Sequence, residues 1–170
     1  ILDGGELDEF QPDVAKEMLC GHGWIEGFPV AVIANQRGVI KARAGERRLT
    51  MGDLVVLDFG GVLDGYCCDL TRTVAVGAVG PEARRVYEAV RDAQTAAIQA
   101  VRPGIPASDV DSAARAVLDA RGLGQAFGHG TGHGLGLEVH EDPRVSRPQP
   151  ELPAAVLQPG MVFTIEPGAY

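Results

Sequence analysis

Long hydrophobic runs, a cysteine framework and an excess of positive charge are all missing from this chain, and each absence removes a class of protein. No apolar stretch approaches the roughly 18 residues a membrane-spanning helix needs, so no membrane association is expected. No basic-then-apolar leader precedes the acidic stretch around Glu6, Asp8 and Glu9, and the expected setting is the cytoplasm. With 15 Lys and Arg against 23 Asp and Glu, the formal net charge is −8, the wrong sign for a nucleic-acid partner held through its phosphates. The basic run at Arg43, Arg47 and Arg48 reads as a solvated turn. Three cysteines, two of them adjacent at Cys67 and Cys68, do not make a disulfide framework and fit a reducing compartment. They read as small buried residues, with a metal or redox role for the vicinal pair as the alternative. The helical His-Glu-x-x-His signature of one zinc protease class is also absent.

What is present begins with an internal echo. Residues 49–60, LTMGDLVVLDFG, return in thinned form at 157–168 as LQPGMVFTIEPG, so that Gly52 meets Gly160 and Asp58 meets Glu166. Both segments read as turn, glycine, buried strand and a single carboxylate, and both acids close a run too apolar to hold a charge without a partner. A duplicated strand that delivers two acids to one centre suggests a metal site between two half-domains. A length of 170 residues with 45% apolar content suits one domain with a sizeable core. Ile at position 1, and Tyr170 directly after a Glu-Pro-Gly turn, read as cut ends of a longer chain.

Coarse patterning gives strands, two helices, then strands again, an α+β order. Pro12 to Leu19 reads as a short helix and Phe28 to Ala34 as a strand, by its β-branched content. Leu54 to Phe59 is apolar on both faces, Gly60 and Gly61 start a turn, and Tyr66 to Val76 returns as a strand, which puts Asp58 and Asp69 on one hairpin. Val86, Val90, Ala93, Ala97 and Val101 lie at helical spacing within Pro81 to Val101, with Pro103-Gly104 just past the end. Ser108 with Asp111 resembles a capping box that opens a second helix through Val110, Ala114, Val117 and Leu118, stopping at Gly122.

Three of the four histidines fall in one stretch, GHGTGHGLGLEVHE, as His129, His133 and His140. For any single histidine a solvated imidazole on a glycine-rich loop is the simpler reading. As a set, and with carboxylates on apolar strands, they supply the oxygen and nitrogen donors that Mn, Co, Fe or Zn take.

DFGGVLDGYCCDLTRT, HGTGHGLGLEVHEDP and PGMVFTIEPGAY, in that order, closely resemble the pita-bread-fold metallopeptidases. The DLTRT and EPGAY wording points to the Xaa-Pro dipeptidase (prolidase) and aminopeptidase P branch rather than to methionine aminopeptidase. The resemblance covers residues 28–170, which it implies are an incomplete catalytic domain, with 1–27 as a residual N-terminal segment or linker. It implies a fold of two pseudo-symmetric half-domains, apparently truncated at both ends, around two divalent metal ions, manganese foremost, with Co, Zn or Fe as alternatives. Asp58 would bind one metal and Asp69 both, while His133 and Glu166 bind the other. Each has an ordinary alternative: a turn cap for Asp58, an ion pair with Arg72 for Asp69, and a strand-end ion pair for Glu166.

The implied activity is hydrolysis of the Xaa-Pro bond at the N-terminus of dipeptides or short peptides by a metal-bridging hydroxide, with Glu166 as proton shuttle. His140 resembles the histidine that hydrogen-bonds the scissile carbonyl, and His129 a second supporting or proline-pocket histidine. Thr71 and Arg72 are expected to orient Asp69, and Glu141 to support its strand. A short proline-containing peptide is the expected substrate, and a homodimer is compatible with the resemblance.

Two departures stand beside it. The family's further bridging glutamate would follow EPGAY, beyond Tyr170, and Lys41 stands where the family places a proton-donating histidine. They keep open a rival reading, a catalytically inactive pita-bread module that binds peptide or protein. A metal-free relative of the creatinase type is a third, for which both aspartates would be unnecessary.

Overall fold

The computed structural model describes residues 49–151 and 153–170, together with the backbone of three earlier strands. It divides into two compact units, Ile1–Gly80 and Pro81–Tyr170.

In the first unit, β1 (Asp8–Glu9), β2 (Met18–Ile25) and β3 (Phe28–Asn35) form an antiparallel sheet in that order. The strand expected from Phe28 is present. The helix expected from Pro12 to Leu19 is not formed at its far end, where Met18 and Leu19 pair with Asn35 and Ala34; residues 12–17 lie outside the described residues. Gly21 and Gly23 make this stretch a poor helix, and a full-length partner strand settles it. Lys41 and the basic run at Arg43, Arg47 and Arg48 also lie outside the described residues.

β4 (Leu54–Leu63) and β5 (Tyr66–Ala75) form the expected hairpin, paired without interruption from Leu54 opposite Ala75 to Leu63 opposite Tyr66. The turn is at Asp64-Gly65 rather than at Gly60-Gly61. Asp64 and Gly65 take φ of 52° and 87°, the left-handed pair that a tight two-residue hairpin turn requires. Gly60 stays in the ladder opposite Asp69, where a Cβ would run into the Cys68 carbonyl. The hairpin is less buried than its apolar sequence implied: Val56, Val62, Leu63, Leu70 and Val74 are exposed. The cysteine expectation changes with it, since Cys67 is half-buried and Cys68 exposed.

In the second unit, α1 (Pro81–Ala100) buries Ala89, Ala93 and Ala97, a stripe of small residues one turn apart, and α2 (Ala107–Ala120) packs against it. At the exposed start of α1, a hydrogen bond from Arg85, aided by its charge, holds the Glu82 carboxyl below its ordinary range. Both helices fall within a residue or two of their sequence limits, and Gly122, at φ 71°, ends the second. No capping box opens α2. Its cap position is Pro106, which makes no side-chain cap bond, and the first helical N–H, that of Ala107, donates instead to the Ala155 carbonyl (2.8 Å). Asp111 is therefore free of any cap role and lies fully buried one turn further in. Val110, Ala114 and Leu118 complete the core with Phe127, Val145 and Leu157.

β6 (Gly132–Gly134) and β7 (Glu141–Val145) pair antiparallel. The strand expected within 157–168 is present only as an extended segment. Leu135 donates to Val162 (3.1 Å), Thr164 to His133 (2.8 Å) and Glu166 to Thr131 (2.7 Å), with one isolated bridge, Gly134 to Phe163. The ladder breaks because the His133 N–H donates to the Thr164 hydroxyl (3.0 Å) in place of a carbonyl.

The echo between the units holds at the turns. Gly52 has φ 96° with Asp53 N–H donating to Thr50 (3.2 Å), and Gly160 has φ 90° with Met161 N–H donating to Gln158 (3.3 Å). Both turns need glycine at the same place.

Candidate functional site

In the second unit, β6 and the 162–166 segment bring His133 and Glu166 together, with Nε2 3.0 Å from Oε1. The other ring nitrogen, Nδ1, is 2.9 Å from the Gly134 carbonyl, which can only accept, so Nδ1 carries a hydrogen and Nε2 is turned to the carboxylate. The Thr164 hydroxyl donates to Glu166 Oε1 (2.7 Å) while accepting the His133 N–H, and so fixes both partners. Thr164→Val should leave that N–H and that carboxylate oxygen each one partner short, at a cost of about 1–3 kcal/mol. A thermal melt compared with Thr164→Ser, which keeps the hydroxyl, would check this.

The His140 ring lies 4.3 Å from that of His133 and is exposed. His129, also exposed, sits edge-on to Phe127 (5.0 Å) and 5.7 Å from the Tyr170 ring, with Nδ1 2.7 Å from the Gly130 carbonyl. Glu141, expected to support its strand, opens β7 and accepts the Glu138 N–H (3.2 Å).

In the first unit, Asp58 lies opposite Thr71, and Asp69 opposite Gly60, on one face of the hairpin. Thr71 does not orient Asp69 through its hydroxyl; it donates to Asp58 (3.1 Å), directly across the ladder. Arg72 points from the opposite face to Asp69, as strand alternation demands, and its guanidinium turns back to the Thr71 carbonyl (2.8 Å).

Sequence reading missed three residues here: Thr164, Asp111 and Arg115. The Asp111 carboxylate accepts the N–H (3.1 Å) and hydroxyl (2.8 Å) of Thr131, between the two histidines, and pairs with Arg115 (2.7 Å). A signal was available, since Asp111 falls on the apolar stripe of α2, where a charge requires a partner.

The donor chemistry fits a divalent cation. A ligating imidazole ordinarily has its second nitrogen tethered to a carbonyl, as in His133, and carboxylates with imidazole suit Mn, Co, Fe or Zn. Aspartates on one hairpin face and, in the other unit, a tethered histidine beside a glutamate are the residue types that divalent-metal enzymes use as ligands.

Comparison with known proteins agrees. The chain belongs to metallopeptidase family M24, whose profile matches residues 4–170. It is 46% identical over 127 residues to the Xaa-Pro dipeptidase of Pyrococcus horikoshii, a stretch covering 75% of this chain and 35% of that protein. The prolidase structure from the same organism superposes with a TM-score of 0.68 at 46% identity, over 75% of this chain and 35% of that one. Methionine aminopeptidase from Rickettsia prowazekii is more distant, at TM-score 0.60 and 29% identity, over 72% of this chain and 49% of that one. The fold is thus the pita-bread fold on its Xaa-Pro side, and the chain spans about a third of the length of the curated relatives it matches, 35% for the Pyrococcus dipeptidase. No helix among the described residues is long and apolar enough to cross a membrane.

Proposed function

We propose that this chain carries part of the catalytic centre of a metal-dependent exopeptidase that cleaves the Xaa-Pro bond at the N-terminus of dipeptides or short peptides. The observation that carries the reading is His133 Nε2 held 3.0 Å from Glu166 Oε1 with its other nitrogen tethered to backbone. Asp58, Asp69, His133 and Glu166 are the proposed ligands of two divalent ions, with manganese first and Co, Zn or Fe as alternatives. Their assignment follows the family resemblance. When bound, such a pair of ions polarises a peptide carbonyl and lowers the pKa of a water molecule.

The chain's own groups supply the rest. Glu166, held by the Thr164 hydroxyl, takes the proton of the attacking water and passes it toward the proline nitrogen, which leaves as a secondary amine. His140, exposed beside His133, hydrogen-bonds the scissile carbonyl oxygen as negative charge grows on it. His129 and Tyr170, ring against ring, offer an apolar edge for a proline ring.

The test is hydrolysis of an Xaa-Pro dipeptide and its Xaa-Ala counterpart by the purified protein, with and without manganese. Manganese-dependent cleavage with a preference for proline of about 10-fold or more is expected, the size that ring contacts can supply. Peptide binding without cleavage under any of the four metals would favour a non-catalytic binding module instead.

A further inference from the structure

We infer that Asp111 and Arg115 of α2 are positioning residues that hold the histidine loop in register for the site. The inference rests on the metallopeptidase reading for the roles of His129 and His133. The loop from Phe127 to Thr131 contains Gly128 and Gly130 and leads into Gly132, so its own backbone preferences are weak and its ordering entropy is high. Something outside the loop must fix where its histidines point.

The pair on α2 does this through backbone groups of every second residue. Arg115 and Asp111 are one helical turn apart and join fork to fork, Nε to Oδ2 at 2.7 Å and Nη2 to Oδ1 at 3.2 Å. The remaining guanidinium donors reach the Phe127 carbonyl (3.1 Å) and the His129 carbonyl, and the guanidinium lies 4.2 Å over the Phe127 ring. Asp111 Oδ1 takes both the N–H and the hydroxyl of Thr131. Residues 127, 129 and 131 are thereby each tied to one helix, and Thr131 in turn accepts the Glu166 N–H (2.7 Å). The pair thus reaches both sides of the His133–Glu166 contact without touching either side chain.

Energetics favour this role over simple stabilisation. The Asp111 and Arg115 side chains are 1% and 12% exposed, and an ion pair so buried seldom outperforms apolar residues of the same volume. What it adds is a fixed geometry, which apolar packing against glycines cannot supply.

Arg115→Lys tests the idea, because a single ammonium cannot bond Asp111 and two carbonyls in the planar fork. In purified Arg115→Lys protein that remains folded by circular dichroism, manganese Kd should rise about 10–100-fold, the range seen when a ligand's support is removed. At saturating manganese, KM for the Xaa-Pro dipeptide should rise more than kcat falls. In metal-free protein the imidazole NMR resonances of His129 and His133 should move. If the lysine variant does not fold, Thr131→Val should show the same changes at smaller size, and Thr131→Ser should restore wild-type values. Folded variants with wild-type histidine resonances, manganese Kd and KM would overturn the positioning role. Wild-type protein that binds no manganese would overturn the metallopeptidase reading instead, and the histidine resonances would still decide this one.

Discussion

With His133 replaced by alanine, the protein is expected to lose binding of one of the two proposed metals, and with it essentially all of the proposed peptide hydrolysis. His133 is the residue whose second nitrogen is already committed to the Gly134 carbonyl and whose Nε2 faces Glu166, so its ring is held in the orientation a ligand needs. Loss of one cation that polarises the carbonyl is worth several kcal/mol of barrier, or about 10³-fold in kcat/KM. The fold should be affected far less. The Nδ1–Gly134 and Nε2–Glu166 contacts contribute about 1 kcal/mol each, so the variant should still fold, with a Tm only several degrees below wild type. Asp69→Ala should act in the same direction from the hairpin. Metal analysis and dipeptide kinetics on the folded variants check this, and unchanged metal content would remove these residues from the ligand set.

Gly132→Ala should damage both fold and site. A Cβ at Gly132 would run into the Thr164 carbonyl oxygen, with the carbonyl carbon at 2.7 Å and the hydroxyl at 2.9 Å. The 162–166 segment cannot retreat without breaking Thr164 N–H to His133 (2.8 Å) and Glu166 N–H to Thr131 (2.7 Å), the bonds that place Glu166 beside His133. Overpacking of this kind costs about 3 kcal/mol, a fall in Tm on the order of 10 °C for a chain of this size. Manganese affinity should fall in parallel as Glu166 and His133 separate. Gly128→Ala, on the same loop with nothing within 4 Å of the added Cβ, should melt within a degree or two of wild type. Equal melting of the two variants would show that the close approach at Gly132 does not hold the segment.

Much of the fold was legible because its signals are local. The alanine stripe of α1, the glycine that stops α2 and the hairpin strands depend on spacing and turn chemistry, and they lie where the pattern placed them. The echo was legible for the same reason: a turn that needs positive φ keeps its glycine, at Gly52 and again at Gly160. What was not legible depended on partners distant in sequence. Gly60-Gly61 and Asp64-Gly65 are both good turn signals, and the register of β5 chose between them. Met18 and Leu19 became strand because β3 pairs with them along its length.

The site divides in the same way. The proposed donors, Asp58, Asp69, His133 and Glu166, stand out as acids and a histidine among glycines and apolar residues. Asp111 looked like a cap because Ser108 precedes it by three, and only the approach of Thr131 and the Phe127 carbonyl region shows what the Asp111–Arg115 pair holds. Thr164 is unremarkable in sequence, and its hydroxyl matters because it replaces a ladder carbonyl for His133 while holding Glu166.

If Asp58, Asp69, His133 and Glu166 hold two divalent ions, as proposed, the metal content of the purified protein shows it. The purified protein would be loaded with manganese, separated from free ions and submitted to elemental analysis. About two manganese ions per chain are predicted, as a two-metal hydrolytic site requires. Manganese well below one per chain after saturation would contradict the account.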